Sequence, residues 1–247
     1  MELAIETEGL SYRAGRGFAI REVGLRVPRG EVCGFLGPNG AGKTTVIRLL
    51  LGLLRPDAGR VRLRGRAMPA EAPEILAGVG YVPERPHFDL TLPCADLLRY
   101  QAAFFRRWDG ALAAELAGRL ELDLRKEFGR LSKGQKAKFM ILVALAQRPE
   151  LLVLDEPTDG LDPVIRREIL DILLARVRAD GVSVLISSHL VHELEGLCTR
   201  IAIMDAGVLV TEQGMHEFRT GPDRQASPLG LEDAYVQVLR AARAGRG

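Results

Sequence analysis

The sequence predicts an α/β fold in three parts: a parallel-sheet core, an N-terminal antiparallel β-subdomain and an inserted helical subdomain. Three observations predict it. Residues 3–36 alternate and turn like a small antiparallel sheet, later β-rich runs alternate with helical patterns, and residues 85–147 carry mostly helical periodicity. Strands separated by helices argue for a parallel sheet covered on both faces.

Taken in order, LAIETEGLSY, FAIREVGLRV and EVCGFLG make up the antiparallel expectation, and EVCGFL also leads into a glycine-rich turn. TVIRLLLGLL reads as a helix that ends before RPDAG. VRLR, VGYV, LLVLD, VSVLISS and IAIMD read as strands, and CADLLRYQAAFF, ALAAELAGRLEL and FMILVALA as helices. After Gly214 a polar, turn-rich segment, TGPDRQASPLG, precedes LEDAYVQVLRAA. Leu231, Ala234, Tyr235, Val238 and Leu239 fall on one face of that last run, as a docked terminal helix requires. The expected division is therefore 1–84 with 148–213 as the core and its β-subdomain, 85–147 as the helical subdomain, and 214–247 as a tail with a helix.

Composition narrows the function classes. A net charge of +2 over 247 residues gives no reason to expect direct nucleic-acid binding. Cys33, Cys94 and Cys198 are widely spaced and form no C-x-x-C pair, which argues against a zinc site or a disulfide framework and fits a reducing cytosol. MELAIETEGL has early acids and no apolar h-region, so no signal peptide is read there. Apolar runs such as FMILVALA fall far short of the ~20 residues that cross a bilayer, so a membrane role has to come through a partner.

GPNGAGKT, Gly37 to Thr44, fits G-x-x-x-x-G-K-[ST] with a strand before it and a helix after it. Its glycines let successive backbone N–H groups turn inward as an anion nest, Lys43 brings charge to the outer phosphates, and the Thr44 hydroxyl can ligate Mg²⁺. Five lysines stand among 34 basic residues, the rest being arginines, so a lysine at this position points to a need for a compact ammonium. Nucleoside triphosphate binding is the local expectation, with Gly37, Pro38, Asn39, Gly40, Ala41, Gly42, Lys43, Thr44 and Thr45 as its residues.

LLVLDEPTDGLDP places Asp155 and Glu156 at the end of an apolar strand, at the carboxyl edge of the sheet where open α/β folds bind ligands. Asp155 is expected on the metal and Glu156 on the attacking water. Asp162 before Pro163 is a good helix start, with an aspartate N-cap and proline at N1. His189 follows the apolar strand VSVLISS and should reach the same edge, near a γ-phosphate. In LSKGQKAK, Ser132 and Gln135 form a capping box that starts a helix.

GPNGAGKT, LSKGQ, LLVLDEP, GLD and SSH, in this order, resemble the ATP-binding subunit of ABC transporters over about Leu3 to Glu212. The resemblance implies a P-loop NTPase core of RecA-like type, ATP and Mg²⁺ as ligands, and Mg-dependent ATP hydrolysis. It makes LSKGQ the signature, Asp155 and Glu156 the Walker B aspartate and catalytic glutamate, Asp162 the D-loop aspartate and His189 the switch histidine. It puts Tyr12 where an aromatic stacks on adenine. It further implies a head-to-tail dimer, homodimer or heterodimer, in which Ser132, Gly134 and Gln135 of one copy complete the ATP site of the other. Two residues depart from the family pattern: Glu84 stands where the Q-loop glutamine is usual and is expected at the metal, and Lys133 replaces a signature glycine. LSKGQKAK together with DEPTDGLDPVIRREILDILL looks most like the separate ATPase subunits of bacterial ABC-2-type exporters. That implies a polytopic membrane partner docked near residues 85–108 and a cytoplasmic, peripheral location on the inner face of the cell membrane. A soluble ABC ATPase acting on a ribosome or nucleic-acid complex is the alternative; a P-loop kinase or GTPase does not account for LSKGQ.

Overall fold

The computed structural model describes residues 2–15, 17–220 and 230–245. The polar, turn-rich segment expected before the last helix falls mostly outside the described residues. The chain begins with β1 (Leu3–Ala14), β2 (Phe18–Val23), β3 (Arg26–Pro28) and β4 (Val32–Leu36), then turns through residues 37–42 into α1 (Lys43–Leu50). β5 (Ala58–Leu63), β6 (Arg66–Met68), α2 (Ala72–Leu76) and β7 (Val79–Val82) follow. Three helices come next, α3 (Cys94–Phe104), α4 (Gly110–Arg119) and α5 (Lys133–Ala146). The second half runs β8 (Leu151–Asp155), α6 (Pro163–Asp180), β9 (Ser183–Ser188), β10 (Arg200–Asp205), β11 (Val208–Gly214), α7 (Met215–Thr220) and α8 (Leu231–Ala244).

Two sheets form. β2, β1, β5 and β6 lie side by side in an antiparallel sheet, with β3 also paired to β1. The other sheet has the order β11-β10-β4-β9-β8-β7 and is parallel except for the β10–β11 hairpin. The expectation that EVCGFLG belongs to the antiparallel sheet is corrected here: β4 lies between β9 and β10 in the parallel sheet. All five residues of VCGFL are buried and none is polar, a pattern that suits a central strand covered on both faces rather than one with a solvated side.

Alternation along the parallel strands divides the core. Val32, Leu36, Leu152, Leu154, Val184, Ile186, Ile201 and Ile203 join the cluster built with the helices α3 to α6 and α8. Their neighbours Cys33, Phe35, Leu151, Val153, Leu185, Ala202 and Met204 join the opposite cluster, with α1 and with Ile5, Leu10, Ile20 and Val23 of the antiparallel sheet. Because β4, β7, β8 and β9 are parallel, the loops after them open on one edge, where ligands of open α/β sheets bind.

Helix ends are set by side chains. Ser132 and Gln135 make the reciprocal capping box at α5, and Asp162 Oδ1 accepts from the N–H groups of Val164 and Ile165 at 3.0 Å to start α6 behind Pro163. Buried Lys138 of α5 pairs with Glu168 of α6 at 2.7 Å. The segment after β7 is held to α5 by Phe88, whose ring packs edge-on against Phe128 and Phe139 at 5.2 and 5.4 Å. α8 buries Leu231, Ala234 and Leu239, and its Arg243 forms a two-point ion pair with Asp205 at 3.1 and 3.0 Å. Among the described residues, no helix is long and apolar enough to cross a membrane.

Candidate functional site

The turn between β4 and α1 has no room for side chains at two points. A Cβ on Gly37 would lie 2.5 Å from the Met204 carbonyl oxygen, and Gly42, the residue before α1, has a φ of +109°. The turn leads into the N-terminus of α1, where free N–H groups favour an anion. A cleft of about 480 Å³ opens there, lined by Phe18, residues 39–45, Glu84, Glu156, Asp159 and His189.

Lys43 is 5% exposed and folds back over its own loop. Its Nζ donates to the Gly37 carbonyl at 2.6 Å and stands 3.1 Å from Glu156 Oε1. The other oxygen of Glu156 is 3.0 Å from His189 Nδ1. Glu156 therefore sits between the loop lysine and the histidine that follows β9. It holds a φ of +49°, uncommon for a residue with a side chain, directly after the strand that carries Asp155. Such an outlier persists only where its surroundings fix it. Ser187 supplies part of that support, because its hydroxyl accepts from Glu156 N at 2.9 Å and donates to Asp155 Oδ1 at 2.8 Å.

Asp155 is fully buried, and Thr44 Oγ1 donates to its Oδ1 at 3.1 Å. Burial pushes its carboxyl above the usual range; the Ser187 and Thr44 hydrogen bonds pull it down in part, and the charges of Glu156 and Glu84 push it up again. Its Oδ2 is buried without a hydrogen-bond partner. An unpartnered hard oxygen beside a threonine hydroxyl fits a divalent cation that takes one protein carboxylate, a hydroxyl, phosphate oxygens and water. Among the described residues, no group of three His, Cys, Asp or Glu side chains is placed to enclose a metal.

The structure thus gathers the phosphate-loop residues, Glu84, Glu156 and His189 around one cleft, with Asp155 against Thr44 at its base. Ser132, Gly134, Gln135 and Asp162 stand apart from it, at the N-termini of α5 and α6. A Cβ on Gly134 would meet Ile165 Cγ2 at 3.2 Å, so the glycine lets the two helices approach. Lys133 reaches back within the chain to Asp159 at 3.7 Å.

Tyr12 is not among the residues that line this cleft. Antiparallel register pairs Tyr12 with Ile20 and Ala14 with Phe18, so all four share one face, and Tyr12 stands one same-face pair along the ladder from Phe18, the residue at the cleft. Tyr12 packs on the core beside Ile20, and Phe18 is the aromatic on the cleft wall. Sequence reasoning missed Phe18, Asp159 and Ser187. The signals were there, in GFAI beside the phosphate loop, TDGLD after the carboxylates and the doubled serine of ISSH.

The sequence profile of the ABC transporter family matches residues 20–159. The chain is 36% identical over 221 residues to a bacitracin transport ATP-binding protein of Enterococcus faecalis, covering 88% of this chain and 71% of that protein. It is 33% identical over 220 residues to the Nod factor export ATP-binding protein I of Rhizobium etli, covering 87% and 69%. Among solved structures, an ATP-binding subunit of an ABC transporter superposes with a TM-score of 0.84 at 26% identity, over 96% of this chain and 99% of that one. A dimeric ATP-binding cassette in a post-hydrolysis state with ADP and Pi has the same fold, with a TM-score of 0.75 at 22% identity.

Proposed function

Because the chain belongs to the ABC transporter ATP-binding family, we propose that it hydrolyses ATP to power export through a separate membrane-spanning protein. The observation that carries this reading is the meeting of Lys43 at the start of α1, Asp155 and Glu156 at the end of β8, and His189 after β9, at one edge of the parallel sheet. Phosphates enter the nest of residues 37–45, and Lys43 exchanges the Glu156 carboxylate and the Gly37 carbonyl for phosphate oxygens. Phe18 supplies the aromatic face for the adenine. Thr44 and Asp155 would hold Mg²⁺, with Glu84 on the wall of the same cleft; the ion, when bound, would neutralise charge on the outer phosphates. Glu156 takes the proton of the attacking water as its oxygen bonds to the γ-phosphorus and the bond to the ADP oxygen breaks. His189 holds the Glu156 carboxylate and faces the γ-phosphate.

Two copies sandwich two ATP molecules, in a homodimer or a heterodimer with a related cassette. Ser132, Gly134 and Gln135 at the start of α5 then meet the nucleotide of the partner copy, with Asp162 beside them. The dimeric cassettes among the similar structures support this arrangement. Residues 1–84 and 148–213 act as the nucleotide-binding core with its β-subdomain, 85–147 as the signature-bearing helical subdomain and 214–247 as a tail. The membrane protein docks on the helical part, where Tyr100 and Phe104 of α3 are 60% and 64% exposed, and it holds the subunit at the inner face of the cell membrane. Affinity purification from detergent-solubilised membranes tests the reading: a polytopic membrane protein should co-purify, and recovery with ribosomes instead would overturn it.

A further inference from the structure

Glu193 lies in the turn after His189, and its side chain is 2% exposed. Its Oε2 accepts from Thr158 Oγ1 at 2.8 Å and from Ser188 Oγ at 3.2 Å, and its Oε1 is 2.9 Å from Arg166 Nε of α6. Thr158 stands two residues after Glu156, Ser188 directly precedes His189, and Arg166 also donates to the Leu161 carbonyl at 3.2 Å. One buried carboxylate thus touches both loops that present the Glu156–His189 pair and the helix that follows them. Stability alone does not explain a charge here, since replacing a buried ion pair by apolar side chains is often neutral or favourable. Its position between the two loops does.

We propose that Glu193 is a positioning residue for hydrolysis, fixing the His189 loop against the Glu156 loop through Thr158 and Ser188. The proposal rests on the roles given to Glu156 and His189 above. Glu156 is anchored by Lys43 on one side and His189 on the other. When Lys43 turns to phosphate, the histidine is the anchor that remains, and its own backbone is set by the Glu193 contacts. Small displacements of a reacting group cost up to about a hundredfold in rate without loss of binding.

The test compares Glu193→Gln and Thr158→Val with wild type, measuring kcat, KM for ATP and the Kd of a non-hydrolysed ATP analogue. Val27→Ala, in the fully buried part of β3 and outside the cleft, controls for lost stability. Both test variants should lose about tenfold or more in kcat, with KM and Kd changed by less than about twofold, while Val27→Ala keeps its kcat. If Glu193→Gln does not fold, Thr158→Val alone decides, since it removes one hydroxyl and leaves the ion pair. A folded Thr158→Val protein with wild-type kcat, or a loss shared equally by kcat, binding and the control, would overturn the proposal. Glu156→Gln measured in parallel separates the two levels: if it still turns over, the site reading fails; if it is inactive and Thr158→Val is not, only the role of Glu193 fails.

Discussion

Lys43 Nζ stands 3.1 Å from Glu156 Oε1 and 2.6 Å from the Gly37 carbonyl oxygen, so the phosphate loop's cation is engaged by the carboxylate proposed to activate water. Nucleotide binding exchanges those partners for phosphate oxygens. Lys43→Met should weaken ATP binding about ten- to a hundredfold, the worth of ~1.5–3 kcal/mol for a charged hydrogen bond. Lys43→Arg should not restore it, because a planar guanidinium does not fit where a compact ammonium donates to two loop carbonyls. Calorimetric titration with ATP measures both.

Phe18 is the adenine contact proposed above, as the aromatic side chain on the cleft wall. Phe18→Ala should raise the ATP Kd about tenfold, since stacking of a base on an aromatic is worth ~1–3 kcal/mol. Tyr12→Leu, which removes the aromatic ring of a residue packed beside Ile20, should leave Kd unchanged. Fluorescent-nucleotide titrations of the two variants, with opposite outcomes, would return the assignment to Tyr12.

Asp155 places function against stability. Its carboxyl titrates above its ordinary value of 3.8, chiefly through burial, so the folded chain holds a proton there more readily than the unfolded chain does. The sign follows: the charged form is a stability deficit that grows as pH rises from the unfolded value through the folded one and is then constant. Asp155→Asn should therefore raise Tm at neutral pH by about 2–4 °C, as ~1 kcal/mol does in a chain of this size, and abolish Mg-dependent hydrolysis. The gap should narrow as pH falls toward 3.8; thermal melts across pH that show a gap widening on acidification would contradict it.

These cases also show what the sequence held. VGYV, LLVLD, VSVLISS and IAIMD each became a strand of the parallel sheet, because an apolar run bounded by turns leaves little choice. Capping chemistry at Ser132 and Asp162 was legible because both partners lie within three residues. β4 was misplaced because a fully apolar run does not name its neighbours, and strand order is a property of the whole sheet. Phe18 was missed because its place depends on which β1 residue it pairs with, information carried by register and not by either strand alone. The Lys133–Asp159 pair joins residues 26 positions apart, across the start of α5 and the loop before α6.

Ser132 tests whether the site is shared between copies. It stands outside the cleft of its own chain, capping α5. Ser132→Arg should leave ATP affinity within about twofold of wild type and lower steady-state hydrolysis at least a hundredfold, as removal of an interaction made only in the reacting complex does. Wild-type turnover in a folded Ser132→Arg protein would place all catalytic contacts within one chain.

The most direct measurement is of the nucleotide held by Glu156→Gln protein with Mg-ATP, together with its rate of phosphate release. Losing the base that takes the water's proton should slow release by about 10²- to 10⁴-fold. The bound nucleotide should be intact ATP, with affinity at least that of wild type, since Lys43 no longer faces a competing carboxylate. Phosphate release at the wild-type rate, with ADP in the site, would contradict the account.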